Sequence, residues 1–81
     1  MNVRVKLFAV ARQRAGRPEI EVALPAAATV RQLRGAIVEQ FPALADVVTH
    51  ARIAADNEYA ADTAAISPTA ELAIIPPVSG G

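Results

Sequence analysis

The sequence has no cysteine and no tryptophan, one histidine, and only three aromatic side chains of the Phe/Tyr type, Phe8, Phe41 and Tyr59. Without cysteine there is no disulfide framework, no thiolate metal site and no thiol nucleophile. His50 alone builds neither a zinc site nor a nucleophile–base pair. Long hydrophobic runs are missing from the N-terminal stretch, where the longest, Leu7 to Ala11, is too short for a secretion signal or a membrane span. That stretch is Arg-rich and acid-poor, as a transit peptide would be, but it holds the best strand of an already short domain. The expectation is a cytoplasmic protein that does not engage a membrane.

Acidic residues are absent from positions 1–17, which hold five basic groups: Arg4, Lys6, Arg12, Arg14 and Arg17. The other 64 residues hold three basic and eight acidic groups, so the formal net charge is zero. A nucleic-acid binder is normally basic overall, with a cationic stripe and stacking aromatics. No nucleic-acid partner is expected. The basic segment reads as a solvated face, with partner docking as the sharper alternative.

Eighty-one residues make one domain, and a chain of this length buries only about 60% of its unfolded surface. Nineteen of the 43 apolar residues are alanine, which leaves 24 larger apolar side chains for a single small core. Such a core leaves no room for an enclosed small-molecule site, which usually needs about 300 Å³ or more. Chemistry is expected at the surface or inside a partner.

Residues 3–7 alternate strictly, with Val3, Val5 and Leu7 opposed to Arg4 and Lys6, the pattern of a half-buried strand. Ile20, Val22 and Leu24 alternate in the same way, and Gly16 and Pro18 between the two runs predict a hairpin with a long connection. Thr29 and Gln32 form a capping-box pair ahead of a helix whose apolar stripe is Val30, Leu33, Ile37 and Phe41. Gly35 weakens that helix by about 1 kcal/mol relative to alanine, and Pro42 stops it. Residues 43–50 are ambiguous, with a short helical turn expected. Arg52 to Ala55 reads as a brief strand, Asp56-Asn57-Glu58 as a turn, and Tyr59 as the start of a short extended piece. Ser67-Pro68-Thr69 is a further turn. Glu71 to Ile75 is apolar enough to be a central strand. The class is α+β, with a mixed sheet over one main helix as the simplest packing. The expected organisation is a domain over 1–75 and an extended tail over 76–81.

In that tail, Pro76 and Pro77 lack amide hydrogens, so the strand ladder stops there and the chain stiffens. Seven extended residues from Ile75 reach roughly 23–25 Å. Gly80 and Gly81 have no side chains and can pass a channel too narrow for other residues. The segment reads as a device for inserting a chain end into another protein. A terminal carboxylate is ionised at neutral pH and is a poor electrophile. It needs conversion to an activated acyl species, commonly an acyl-adenylate made with ATP.

Phe8-Ala9-Val10-Ala11-Arg12 followed by Gly16 resembles the FAxxRxxxG opening of small molybdopterin synthase subunits. Thr29-Val30 with Leu33 is similar to their helix start, Phe41-Pro42-Ala43-Leu44 to their helix end, and Ala54 through Asn57-Glu58-Tyr59 to their AxNxEY segment. Ala73 through Gly81 resembles their A(L/F)(I/F)PPV(S/T)GG ending. Before the last strand this chain has Pro68-Thr69-Ala70-Glu71, where the family often has Gly-Asp-Glu.

The resemblance implies a ubiquitin-like β-grasp fold and a sulfur carrier for molybdenum cofactor synthesis. Gly81 would be adenylated by an enzyme similar to ubiquitin-activating enzymes and converted by a sulfur donor to a thiocarboxylate. It would then donate sulfur to cyclic pyranopterin monophosphate in the large subunit. With no cysteine present, the terminal carboxylate is the remaining sulfur acceptor. The chain would bind no cofactor itself, ATP being consumed by the activating partner, and would be a non-catalytic subunit rather than an enzyme alone. Gly80, Ser79, Val78, Pro77, Pro76 and Ile75 would contact partners. Phe8 and Arg12 are candidates for the docking face, against readings as a core aromatic and a solvated turn residue. Asn57 and Tyr59 read as turn and packing residues, and His50 has no assigned role. A carrier for another pathway, such as thiamine synthesis, a protein modifier joined to lysines, and an interaction domain with an inert tail are the rivals.

Overall fold

The structure is a computed structural model that describes residues 1–77. In β1 (Asn2–Leu7) the side chains of Val3, Val5 and Leu7 are buried and those between them exposed. β2 (Glu19–Ala23) pairs antiparallel with it, Val22 opposite Val3 and Ile20 opposite Val5. The period-two alternation therefore sets one face of each strand inward.

The connection between these strands is not an open loop. The expected hairpin forms, and its long connection contains α1 (Ala9–Ala15), a helix the sequence pattern did not predict. Ala11 is its one buried residue, with Ala15 half-buried. Seven residues offer too few turns for a 3.6-residue period to show. Gly16 closes the helix at φ 71°, its N–H donating to the Arg12 carbonyl at 2.9 Å. The glycine thus ends a helix in the left-handed conformation that suits it. Pro18 turns the chain into β2, and its carbonyl accepts the N–H of Leu7 at 2.8 Å.

α2 (Val30–Gln40) begins as predicted. Gln32 N–H donates to Thr29 Oγ1 at 3.3 Å, and Thr29 N–H donates to Gln32 Oε1 at 2.8 Å. Val30, Leu33 and Ile37 face the core, while Phe41 lies half-buried just beyond the last turn. Pro42 stops α2 and also opens a 3-10 turn, Pro42–Leu44, which runs into α3 (Ala45–His50). The ambiguous stretch is therefore helical, with Leu44, Val47 and Val48 packed inward.

β3 (Arg52–Ala55) and β4 (Glu58–Tyr59) form a hairpin. Its two loop residues, Asp56 and Asn57, have φ of 51° and 68°, the signature of a type I′ turn. β5 (Leu72–Ile75) lies between β1 and β3, parallel to the first and antiparallel to the second. The sheet order is β2-β1-β5-β3-β4, so the last strand is central, as its apolar character predicts. This mixed sheet curled over one main helix is the ubiquitin-like β-grasp arrangement.

The Ser67–Ala70 turn is tied by Ala70 N–H to the Ser67 carbonyl at 3.1 Å. Beyond it, Glu71 N–H donates to Asp56 Oδ1 at 3.0 Å, and Asp56 N–H donates back to the Glu71 carbonyl at 2.9 Å. One arginine ties the far side together. Arg34 on α2 donates from Nε to Asp62 Oδ1 at 2.9 Å and from NH1 to the carbonyls of Val48 and Ala51 at 2.6 and 2.7 Å. It closes the end of α3 against α2. No helix among the described residues is long and apolar enough to cross a membrane.

Candidate functional site

Because strand side chains alternate, the face of the sheet opposite the core is also specified by the register. Lys6 on β1 lies beside Ala73 on β5, Ala73 beside Ala54 on β3, and Ala54 beside Tyr59 on β4. One row across four strands thus reads cation, small, small, aromatic. The two alanines keep the floor low. Lys6, Tyr59, Phe8 and Ile75 stand around it, and together they bound an open depression of about 420 Å³.

Phe8 follows β1 directly and is 49% exposed; Tyr59 is 62% exposed. Two aromatic rings this accessible on so small a domain make the depression the candidate contact surface. Ala9, the next residue, has φ 51°, a left-handed conformation that costs alanine about 1–2 kcal/mol. That turn ends β1 and starts α1 immediately after Phe8. Across the depression the type I′ hairpin sets Tyr59 in place, with the Arg52 guanidinium 4.7 Å from its ring centroid. The stacked cation limits the ring's freedom before any partner arrives.

The depression lies at the base of the tail. Ile75, half-buried, is the last residue of β5 and pairs with Arg52. Of the tail residues expected to touch partners, Pro77 is exposed and Pro76 is buried in its own domain. Its ring has no backbone N–H to offer the ladder and packs inward instead. Val78, Ser79, Gly80 and Gly81 lie outside the described residues.

Phe8 and Arg12, considered together from the sequence, part company in the structure. Phe8 belongs to the depression. Arg12 is exposed on α1 and flanks a separate hollow over Gly16. The reading of Phe8 as a core aromatic and of Tyr59 as a packing residue is replaced by exposure of both. Lys6, Ala54 and Ala73 escaped notice as site residues, although the alternation of β1 already placed Lys6 outward. His50 ends α3, with its Nδ1 3.1 Å from the Asp46 carbonyl oxygen. Among the described residues no three His, Cys, Asp or Glu side chains converge on a metal position.

The profile described as the ThiS family matches residues 5–81. The chain belongs to the ThiS family. It is 37% identical over 81 residues to a molybdopterin synthase sulfur carrier subunit of Arabidopsis thaliana, covering all of this chain and 84% of that protein. A protein of the same name from Caenorhabditis briggsae is 37% identical over 83 residues, covering all of this chain and 99% of its relative. Among solved structures, SAMP1 from Haloferax volcanii, a small archaeal modifier protein, superposes with a TM-score of 0.85 at 34% identity and full coverage of both chains.

Proposed function

We propose that this chain is the sulfur carrier subunit of a molybdopterin synthase. The observation that carries the reading is full-length similarity to proteins of that name, together with a Pro-Pro-Val-Ser-Gly-Gly sequence that follows directly on the strand bordering an exposed aromatic face. The mechanism follows from the chemistry available. An adenylating enzyme grips the face, and the Gly81 carboxylate attacks the α-phosphate of ATP, releasing pyrophosphate. A sulfur nucleophile from a separate donor then displaces AMP and leaves a thiocarboxylate. The loaded chain docks on the large synthase subunit, which supplies the acids and bases this chain lacks. There the sulfur passes to cyclic pyranopterin monophosphate, and two deliveries build the dithiolene.

Phe8, Tyr59 and Ile75 serve as the grip, Pro77 and Val78 as the neck, and Gly80 as the residue small enough to clear the entrance. Reconstitution tests this reading. With an adenylating enzyme, ATP and a sulfur donor, the intact mass should change by one oxygen exchanged for sulfur, and the loaded chain with a large subunit and pyranopterin should give dithiolene. Failure of the mass change would sink the proposal.

The similarity to SAMP1 favours a second reading, a modifier joined to lysines of other proteins. It predicts isopeptide adducts on many targets instead of a thioacid on the free chain. A thioacid loaded as above but delivered to no pyranopterin would point to a carrier for another pathway.

A further inference from the structure

We propose that Arg12, Arg14 and Arg17 steer this chain onto an acidic surface of the protein that receives its tail. The inference rests on the function proposed above and adds to it the charge of the partner's facing surface.

β1 and β5 run parallel with Leu7 opposite Ile74, so α1, which starts two residues after Leu7, stands at the edge of the sheet that the chain leaves at Ile75. The arginines of α1 and its exit turn therefore flank the tail's departure. These arginines also lack partners among the described residues. Arg4 meets Glu19 and Arg34 holds Asp62, whereas Arg12, Arg14 and Arg17 form no ion pair with any described residue. No acid occurs before Glu19 to neutralise them. A chain of zero net charge thus presents a positive end beside the tail and a negative remainder.

Cations in the last turn of a helix also complement its dipole, which accounts in part for Arg12 and Arg14. Arg17 lies two residues past the helix and gains little there. It stands with Arg12 around an open hollow of about 460 Å³ over Gly16, room enough for a partner's carboxylates. Exposed ion pairs add little affinity once formed. Their field acts earlier, over a screening length of about 10 Å at 0.1 M salt, and speeds productive encounter. The division of labour is then arginines for the on-rate and the aromatic face for the off-rate.

Association of the full chain with the large synthase subunit, followed by stopped flow, tests this. At low salt, Arg14→Glu combined with Arg17→Glu should lower kon about tenfold, with koff unchanged within about twofold. Arg14→Lys with Arg17→Lys should keep the wild-type rate. The difference should vanish near 1 M salt, where the screening length is about 3 Å. Arg31→Glu, a single charge reversal in the first turn of α2, should leave kon within about twofold of wild type.

A salt-independent kon, an equal loss from Arg31→Glu, or a faster rate on charge reversal would each overturn the proposal. So would arginine-dependent capture of a single-stranded RNA oligonucleotide with kon to the subunit unaffected. If the wild-type chain does not bind the large subunit at all, the proposed function fails and the inference with it. Binding without steering removes the inference alone.

Discussion

At the scale of single residues, two glycines separate backbone need from habit. Gly16 sits at φ 71°, while Gly35 occupies the exposed middle of α2, and a β-carbon at either would meet open space. Space is therefore not the deciding variable. Gly35→Ala should raise stability by about 0.5–1 kcal/mol, because helix formation costs glycine more chain entropy. Gly16→Ala should lower it by about 1 kcal/mol, the cost of a left-handed alanine. Denaturant midpoints of the two variants should move in opposite directions. Tyr59 gives the functional counterpart. Being 62% exposed, its replacement by alanine should change stability by less than about 1 kcal/mol. The same change should weaken binding to the large subunit by about tenfold or more, measured by titration calorimetry. An equal loss of binding and of folding would assign the ring to packing after all. The sequence could not place it, since a two-residue strand has no period. Only the cross-strand register with Ala54 turns the ring outward.

At the scale of elements, legibility tracked how local the cause was. The capping box of α2, the alternation of β1 and β2, and the Asp56-Asn57 turn all arise from residues within four positions of one another, and each could be read directly. α1 could not, because its only buried anchor is Ala11 and its C-terminal glycine also suits a loop. The parallel pairing of β1 with β5 joins residues more than sixty positions apart, and no local pattern announces it. Apolar composition pointed to a central β5 without naming its neighbours. Of the proposed docking face, Phe8 and Ile75 were visible through sequence pattern and family likeness. Its floor, Ala54 and Ala73, is visible only once the strands are paired. Two element-level contacts can be weighed by mutation. Thr29→Ala should cost about 1 kcal/mol through loss of the cap on α2. Arg34→Ala should cost about 1–3 kcal/mol, because it leaves the Val48 and Ala51 carbonyls at the end of α3 without their donor. Hydrogen exchange should show α3 loosening in the second variant and α2 fraying at its start in the first.

At the scale of the whole molecule, holding the fold and performing the proposed chemistry fall to different parts of the chain. The apolar cluster among the described residues runs from Val3 to Ile74, and Pro76 is buried close behind it. Gly80 and Gly81 follow that cluster and add no apolar side chain to it. Changes to these two glycines should therefore alter transfer without altering the melting temperature. Gly80→Val puts a branched side chain where the proposed entrance needs clearance, and it should block sulfur delivery while leaving the thermal transition in place. Adding one residue after Gly81 is more severe. It moves the carboxylate beyond the position at which ATP meets it, so no thiocarboxylate should form and the intact mass should stay unchanged. Binding to the large subunit should survive that extension only as far as Phe8, Tyr59 and Ile75 can sustain it. A measurable but weakened complex of a chain that cannot be loaded would show grip and delivery to be separable. An extended chain loaded as fast as wild type would mean that the reacting carbon is not at Gly81.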